Sequence, residues 1–253
     1  MAAGLVCTAP LFMYLSTIGY IDLSVGGAVP AAYAARVPAL EDGLLPRIIA
    51  SYKSPIVRTY CRIRFLIIRQ RFLKEVGQYL PEKGNILDVG CGFGLFGLYF
   101  AGGSPERRLT GCDLNARRIA MARLAARNLG IRNVRFNCAD AAALSPQEQF
   151  DAIYTLDLIH HLPRTAVPDF LRSIRGSLAP SGVLIIKDVD RRPAYKRWFT
   201  LLLDRLMVGL TEPIYYWPEE ELRAVLREVG FQVVTHRMID ILPYPHILYV
   251  CRP

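Results

Sequence analysis

The sequence predicts an α/β fold in which a mostly parallel sheet carries helices on both faces. An apolar strand at 86–89 runs into a glycine-rich turn and a helix, and the same alternation of strand and helix recurs to residue 188. Parallel strands joined in this way take right-handed crossover connections. With 253 residues, 52% of them hydrophobic, the chain can bury one large core. We therefore expect one main domain with an N-terminal extension.

Residues 1–43 form this apolar extension, for which we expect an anchor, a disordered tail, or a start upstream of the natural one. The stretch from Met1 to Ile21 carries no charge and is just long enough to span a bilayer. Pro10 and Gly19 make it a poor helix. A secretory signal is disfavoured because no basic region precedes the apolar run.

Residues 44–80 are predicted to form a basic amphipathic helical segment. Ser54 suits a helix cap and Pro55 suits the first helical position, and apolar residues then recur at helical spacing to about Leu80. Between residues 43 and 74 the chain has eight basic residues and no acid. Such a run is usually only a solvated face, but it also fits the surface of an anionic membrane or a lid over a lipidic substrate.

A turn with three glycines at alternate positions follows the first strand. Gly90, Gly92 and Gly94 can take backbone angles closed to other residues and let a ligand approach the chain closely. Residues 92–97 also fit the G-x-G-x-x-G pattern of dinucleotide sites. Asp88 discriminates between ligands, because a carboxylate is unfavourable beside a pyrophosphate but suits an ammonium group and a sulfonium. S-adenosylmethionine carries both cations.

Two later acids stand at corresponding places after the next two strands. Asp113 ends the second strand, at about the spacing from Gly90 expected of a group that binds ribose hydroxyls. Asp140 follows the third strand. Either acid alone fits an ordinary helix cap. Because ligands of open α/β sheets bind at the carboxyl ends of the strands, we expect the three acids to share one rim.

The stretch Asp88-Val89-Gly90-Cys91-Gly92-Phe93-Gly94 resembles motif I of the class I S-adenosylmethionine-dependent methyltransferases. The resemblance implies a Rossmann-like, seven-stranded sheet of order 3-2-1-4-5-7-6, with the last strand antiparallel, formed by residues 81–253. It implies that Asp113 accepts the ribose hydroxyls and that Asp140 accepts the adenine amino group. The cofactor-binding residues expected from it are Asp88, Gly90, Cys91, Gly92, Phe93, Gly94, Asp113, Leu114, Asp140, Ala141 and Leu156.

The fourth strand is followed by Leu158-Ile159-His160-His161-Leu162-Pro163, which resembles the motif IV region of quinone-type and other small-molecule methyltransferases. Methyl transfer needs a base only where the acceptor must lose a proton, and histidine titrates in the suitable range. His160 and His161 are therefore the candidate catalytic residues. We expect one of them to be structural or to contact the cofactor, and His161 to be the base.

The segment 191–217 is longer than a crossover requires, and basic residues lead into an aromatic and aliphatic helix there. Such a stripe usually packs on the core. Similar enzymes use this position as a lid, so the resemblance implies a lid-like insertion in which Trp198, Tyr215 and Tyr216 bind the acceptor.

Three further acids, Asp157, Asp188 and Asp190, raise a metal-assisted alternative. No matching run of oxygen ligands accompanies them, so we expect no metal. Asp157 is then expected at the rim of the site, with Asp188 and Asp190 capping the next helix.

The charge and the cysteines of the chain indicate the type of partner and the cellular compartment. The net charge of +9 suggests anionic partners, and six cysteines without a CxxC pair are typical of a reduced, cytoplasmic protein. We expect a methyltransferase that acts at oxygen or carbon of a small, lipophilic or aromatic acceptor, with peripheral contact to an anionic membrane. The alternatives are an NAD-type oxidoreductase, a nucleic-acid methyltransferase suggested only by charge, and a non-enzymatic membrane-surface protein.

Overall fold

A seven-stranded sheet organises the computed structural model, which describes residues 43–68, 70–140, 149–189, 214–237 and 246–253. The strands are β1 Gly84–Val89, β2 Arg107–Asp113, β3 Val134–Cys138, β4 Phe150–Leu156, β5 Leu178–Val189, β6 Gln232–Arg237 and β7 His246–Arg252. Their order is β3-β2-β1-β4-β5-β7-β6. Strands β1 to β5 pair in parallel, whereas β7 runs antiparallel to both of its neighbours. The predicted Rossmann-like sheet and its strand order are confirmed.

Helices cover both faces of this sheet. They are α1 Leu44–Ser51, α2 Pro55–Ile67, α3 Gln70–Tyr79, α4 Leu95–Gly102, α5 Ala116–Leu129, α6 Val167–Gly176 and α7 Glu219–Glu228, with a short 3-10 turn at Ile159–His161. Neighbouring residues of β1 point to opposite faces, as in any strand. Ile86 packs into a core with residues of α1 to α5, and Leu87 packs into a second core with residues of α6 and α7.

The predicted helical stretch from Ser54 to about residue 80 consists of two helices, α2 and α3, with a break between them. The chain leaves the helical conformation at Ile68, which is buried between α2 and α3. At about 100° per residue, one straight helix would carry Leu73 and Val76 about 100° or more around its axis from Val57. The break allows all three side chains to reach the same core.

Capping residues define the ends of these helices as the sequence indicates. The Ser54 hydroxyl accepts the N–H of Val57 at 3.4 Å at the start of α2. The Asn115 side chain accepts two backbone N–H groups at the start of α5, and Gly130 ends α5 in the left-handed conformation.

Several predicted features lie outside the described residues. They are the apolar extension up to residue 42, Ala141, Asp190, Trp198 and most of the insertion predicted at 191–217. Within the ranges given above, no helix combines the length and the apolar character needed to cross a bilayer.

Candidate active site

The glycine turn joins β1 to α4 at the carboxyl edge of the sheet. Gly90, Gly92 and Gly94 have φ angles of +74°, +54° and +76°, a conformation that other residues rarely take. A Cβ atom on Gly94 would lie 2.6 Å from the Phe136 ring, so that position is closed by packing. A Cβ atom on Gly92 would meet nothing within 4 Å. The turn therefore presents bare backbone to open space at Gly92.

Asp88 lies behind this turn, on the side of β1 that faces α4. Its side chain is buried, and a Cβ added to Gly97 would lie 3.3 Å from its Oδ2 atom. Burial raises the pKa of Asp88 to about 7, and the charge of Asp113 adds to the rise, against the effects of the Tyr154 hydroxyl and the Gly97 amide. The carboxyl group of Asp88 is buried and does not lie at the open rim. Its contact with the cofactor therefore stays a prediction.

The Asp113 carboxylate connects the end of β2 to the glycine turn. One oxygen accepts the Gly92 N–H at 2.9 Å, and the other accepts the Asn115 N–H at 2.8 Å. The carboxylate therefore fixes the glycine of the turn that faces open space, and its contact with the ribose stays a prediction.

The three predicted acids come together around the Cys112 thiol. Burial raises the pKa of Cys112 to about 12, and the charges of Asp88, Asp113 and Asp140 each contribute to the rise. The register of the sheet brings these acids together, because Asp88 pairs with Gly111, Asp113 pairs with Cys138, and the Ala139 N–H donates to the Asp113 carbonyl at 3.3 Å. The ends of β1, β2 and β3 therefore form one acidic region, although the contacts of the acids with a cofactor stay predictions.

The remaining predicted cofactor contacts lie around this region. Cys91 and Leu156 are buried, and Leu114 is largely exposed at the end of β2. Phe93 is partly buried at the tip of the turn, where its ring meets the Tyr60 ring edge to face at 5.2 Å.

Aromatic side chains of the N-terminal helices cover the glycine turn. The Tyr52 hydroxyl donates to the Phe93 carbonyl at 2.8 Å, and Phe65 of α2 meets Phe96 of α4 edge to face. We did not identify Tyr52 and Tyr60 as site residues from the sequence, because 30 or more residues separate them from the turn. The hydrophobic spacing of α2 was the one sequence signal that indicated that a face of this helix packs on the domain.

The segment after β4 lies directly beside the glycine turn. A Cβ atom on Gly90 would lie 3.0 Å from the Leu158 side chain. His160 and His161 follow Leu158 in the 3-10 turn, so the histidine pair and the glycine turn share one edge of the sheet.

His160 is the buried member of the pair, and Asp188 of β5 fixes it. The His160 backbone N–H donates to Asp188 Oδ2 at 3.1 Å, and His160 Nδ1 lies 2.5 Å from Asp188 Oδ1. The prediction that Asp188 caps a following helix is wrong. A polar side chain buried at the end of a strand needs a partner, and the facing histidine is that partner.

His161 is partly exposed beside it, with the two rings 4.2 Å apart. Burial lowers the pKa of His161 to about 4, and the neighbouring His160 lowers it further, against the attraction of Asp188 and Asp157. His161 is therefore neutral at physiological pH, with a ring nitrogen lone pair that can accept a proton, but it is a weaker base than an exposed imidazole.

This lowered pKa predicts a specific loss of stability in acid. In the folded state His161 binds a proton only near pH 4, whereas in the unfolded chain it does so near pH 6.5. Neutral His161 therefore contributes fully to the free energy of unfolding above pH 6.5, and this contribution is lost as the pH falls through 4. Urea unfolding between pH 7 and 4 should show a weaker pH dependence for His161→Gln than for the wild type. Parallel curves for the two proteins would contradict the neutral, buried state of His161.

Asp157 anchors a charged network that ties α2 to the sheet. It has a φ of +61°, and its carboxylate pairs with the buried Lys187 ammonium and, at 2.8 Å, with Arg64 of α2. The charges of Lys187 and Arg64 hold the pKa of Asp157 far below its usual range, despite the opposing effect of burial. Ligand atoms of Asp157, His160 and Asp188 lie within 4.8 Å of one another, as in a metal site. Lys187 and Arg64 already supply positive charge to Asp157, so these residues do not require a cation.

Two of the three predicted acceptor-binding residues adjoin the histidine pair. The Tyr215 N–H donates to the His160 carbonyl at 2.7 Å, and the Tyr216 ring stacks 5.8 Å from the His160 ring. Arg164 holds this segment by donating to the Tyr216 carbonyl at 2.9 Å and lying over the Trp217 ring. The third, Trp198, lies outside the described residues.

A basic groove of about 620 Å³ lies elsewhere, between α5 and β3. Its lining includes Arg123, Arg127, Arg132 and Arg135, and none of its lining residues belongs to the glycine turn or to the histidine pair. This surface accounts for part of the basic charge of the chain.

Comparison with known proteins places the chain among enzymes. The ubiquinone biosynthesis O-methyltransferase of Roseobacter denitrificans is 27% identical over 189 residues, which cover 70% of this chain and 73% of that protein. The 23S rRNA (uracil(747)-C(5))-methyltransferase RlmC of Yersinia pestis is 37% identical over 103 residues, which cover 41% of this chain and only 26% of that protein. The crystal structure of magnesium protoporphyrin IX methyltransferase from Synechocystis PCC 6803 shares the fold, with a TM-score of 0.59 at 20% identity, and covers 82% of this chain and 91% of that chain.

A family model described as a methyltransferase domain matches residues 60–236, which is more than half of the chain. The matched range contains the glycine turn, the three acids and the histidine pair. The chain belongs to the S-adenosylmethionine-dependent methyltransferase family.

Proposed function

We propose that this methyltransferase acts on a small, lipophilic or aromatic acceptor, at an oxygen or an enolisable carbon. The observation that carries the proposal is the neutral, partly exposed His161 beside the buried His160–Asp188 pair, at the edge of the sheet that holds the glycine turn. An acceptor such as a phenol must lose a proton as it is methylated, and a neutral histidine can take it. Tyr215 and Tyr216 supply aromatic surface beside the pair.

S-adenosylmethionine, when bound, supplies an electrophilic methyl group on a sulfonium. Two observations fit it to the residues present: the open space in front of Gly92, and the Asp113 carboxylate at the rim, which can accept ribose hydroxyls. Asp140 is proposed to accept the adenine amino group, and the turn from Gly90 to Gly94 to lie along the amino acid portion. Tyr52 and Tyr60, which pack over Phe93, would exclude water from the part of the site next to the glycine turn.

Within this proposal each histidine has a separate role. His160 positions the segment, because Asp188 holds both its backbone and its ring. His161 accepts the acceptor proton and later releases it to solvent. The acceptor must lie in line with the methyl group for transfer to proceed, so positioning by this segment contributes to the rate along with proton removal.

Labelled cofactor incubated with a graded set of acceptors tests the proposal. We expect methylation of catechols and hydroxylated quinols that carry alkyl chains, with kcat/KM rising with chain length, and no methylation of acceptors without an ionisable hydroxyl or enolisable carbon. Transfer to amines or to nucleic acid, with phenols inert, would contradict it. The named ubiquinone biosynthesis relative makes this acceptor class the natural starting point.

The basic groove favours a second candidate, a nucleic-acid methyltransferase. Four arginines on one surface could neutralise phosphates, and the RlmC relative acts on rRNA. That relative matches only 103 residues of this chain. RNA binding that falls steeply with salt, together with label transfer to RNA, would establish this function instead.

An NAD-type oxidoreductase is not supported, given the family and the reversed strand β7. We place the enzyme in the cytoplasm, where its cofactor and a reducing environment are both found. The five described cysteines carry no disulfide, which suits that environment. Peripheral contact with an anionic membrane belongs to the same proposal, because a bilayer is where a lipophilic acceptor accumulates.

A further inference from the structure

The outer face of α2 carries an apolar stripe that packs against none of the described core. Ile56, Ile63 and Leu66 are 82%, 38% and 66% exposed. Together with Thr59, they lie within an arc of about 80° on the helix at 100° per residue. The opposite side of the same helix buries Val57 and Cys61 in the core. Helix α2 is therefore apolar on two faces, and among the described residues only one of these faces packs into the core.

Basic side chains border the stripe on one side. Arg62 is exposed and Arg58 is partly exposed, and no acid occurs between residues 43 and 74. The next helix continues the pattern with the exposed Lys74. A stripe of apolar residues beside cations, without acids, matches the two layers of an anionic bilayer surface: phosphate headgroups over hydrocarbon.

The other border of the stripe leads to the active site. Tyr60 contacts the tip of the glycine turn, and Arg64 pairs with Asp157 beside the histidine segment. A helix with its side chains is about 10 Å across, so a surface bound to the stripe would lie about that far from the glycine turn. A lipophilic acceptor could then pass from a bilayer to the site without crossing much water.

We propose that the α2 stripe, formed by Ile56, Ile63 and Leu66 with Arg58 and Arg62 beside it, docks the enzyme on an anionic membrane surface. This inference names a partner surface for the proposed function. It rests on that function in one respect, because docking on a bilayer helps the enzyme only if the acceptor is lipophilic. Vesicle binding itself requires no acceptor, so its test is independent of the methylation assay.

Flotation of the full chain with vesicles tests the docking surface. The wild type should float with phosphatidylcholine vesicles that contain 30% phosphatidylglycerol. With vesicles of phosphatidylcholine alone it should remain in the bottom fraction of the gradient. The triple variant Ile56→Gln, Ile63→Gln, Leu66→Gln should bind the anionic vesicles at least about tenfold more weakly, since three apolar side chains no longer enter the interface. The matched control is Val234→Gln on β6, an exposed apolar residue of a different element, which should bind like the wild type.

Charge and insertion are tested separately. Arg58→Gln with Arg62→Gln should weaken binding to the anionic vesicles by about 30-fold at low salt. Tryptophan at position 56, introduced as Ile56→Trp, should shift its emission to shorter wavelength with anionic vesicles, whereas Val234→Trp should not. This reporter keeps the original stripe largely intact and therefore works even if the triple variant folds poorly.

Three outcomes would overturn the inference. The first is unchanged vesicle binding by the triple variant together with no shift at position 56. The second is a melting temperature lowered by several degrees in the triple variant without vesicles, which would show that another part of the chain covers the stripe. The third is tight binding to RNA that the triple variant retains while the wild type ignores vesicles. Thermal stabilisation by S-adenosylhomocysteine should persist in all variants, which separates a failure of docking from a failure of the proposed function.

Discussion

Gly92→Ala is expected to weaken cofactor binding by about 100-fold or more and leave a folded protein. Gly92 has a φ of +54°, so alanine costs about 1 to 2 kcal/mol of backbone strain. Nothing lies within 4 Å of the added Cβ, so the fold itself offers no clash. On our account this open space is where the cofactor approaches the backbone, and the new methyl group should weaken binding by about 100-fold or more. Isothermal titration with S-adenosylhomocysteine gives the affinity directly.

Gly130→Ala is the matched control for this variant. Gly130 also has a positive φ, of +69°, and an added Cβ there also meets nothing within 4 Å. It ends α5, away from the glycine turn. The two alanine variants should therefore lose similar amounts of stability, while Gly130→Ala keeps the cofactor affinity of the wild type. Equal affinities for both variants would place the cofactor elsewhere.

His161→Gln is expected to lower kcat on the order of 10²-fold with phenolic acceptors, while the cofactor affinity is retained. Glutamine preserves size and polarity but cannot take up a proton. The deficit should shrink as the pH approaches the pKa of the acceptor, near 10 for a simple phenol, because a phenolate needs no base. This recovery distinguishes a lost base from a displaced segment, which would reduce the rate at every pH.

His236→Gln provides the comparison for His161→Gln. His236 is also partly buried, and burial also lowers its pKa, but it lies on β6 next to Tyr79. Any general cost of replacing such a histidine should appear in both variants as a loss of stability. Only His161→Gln should lose turnover. Unchanged turnover in His161→Gln would remove the base from the mechanism and leave positioning alone to explain the rate.

The sheet was predictable because local patterns determine its parts. The glycine turn, the acid after each strand and the caps of α5 all depend on residues within a few positions of one another. The reversed β7 and the strand order came from the resemblance to a family. Hydrophobic periodicity alone could not predict the strand order or the direction of β7, because the pattern within a strand does not show which strands pair with it.

The contacts that shape the site depend on residues far apart in the chain. Asp188 looked like a helix cap, yet it is buried against His160, 28 residues earlier. Arg64 looked like one of many solvated cations, yet it pairs with Asp157 across 93 positions. In both cases a charged residue meets its partner only after the sheet assembles. The break at Ile68 was missed for a related reason, since the core that buries Leu73 and Val76 is built by the strands.

S-adenosylmethionine is held, on our account, by the glycine turn and by the Asp113 carboxylate beside it. Equilibrium dialysis of the whole chain with radiolabelled S-adenosylmethionine tests this claim most directly, with NAD and S-adenosylhomocysteine as competitors and Asp113→Ala alongside the wild type. The account predicts one saturable site per chain, displaced by S-adenosylhomocysteine, untouched by NAD, and weakened at least about tenfold in Asp113→Ala through loss of the hydrogen bonds to ribose. Binding of equal strength in Asp113→Ala, or displacement by NAD, would contradict it.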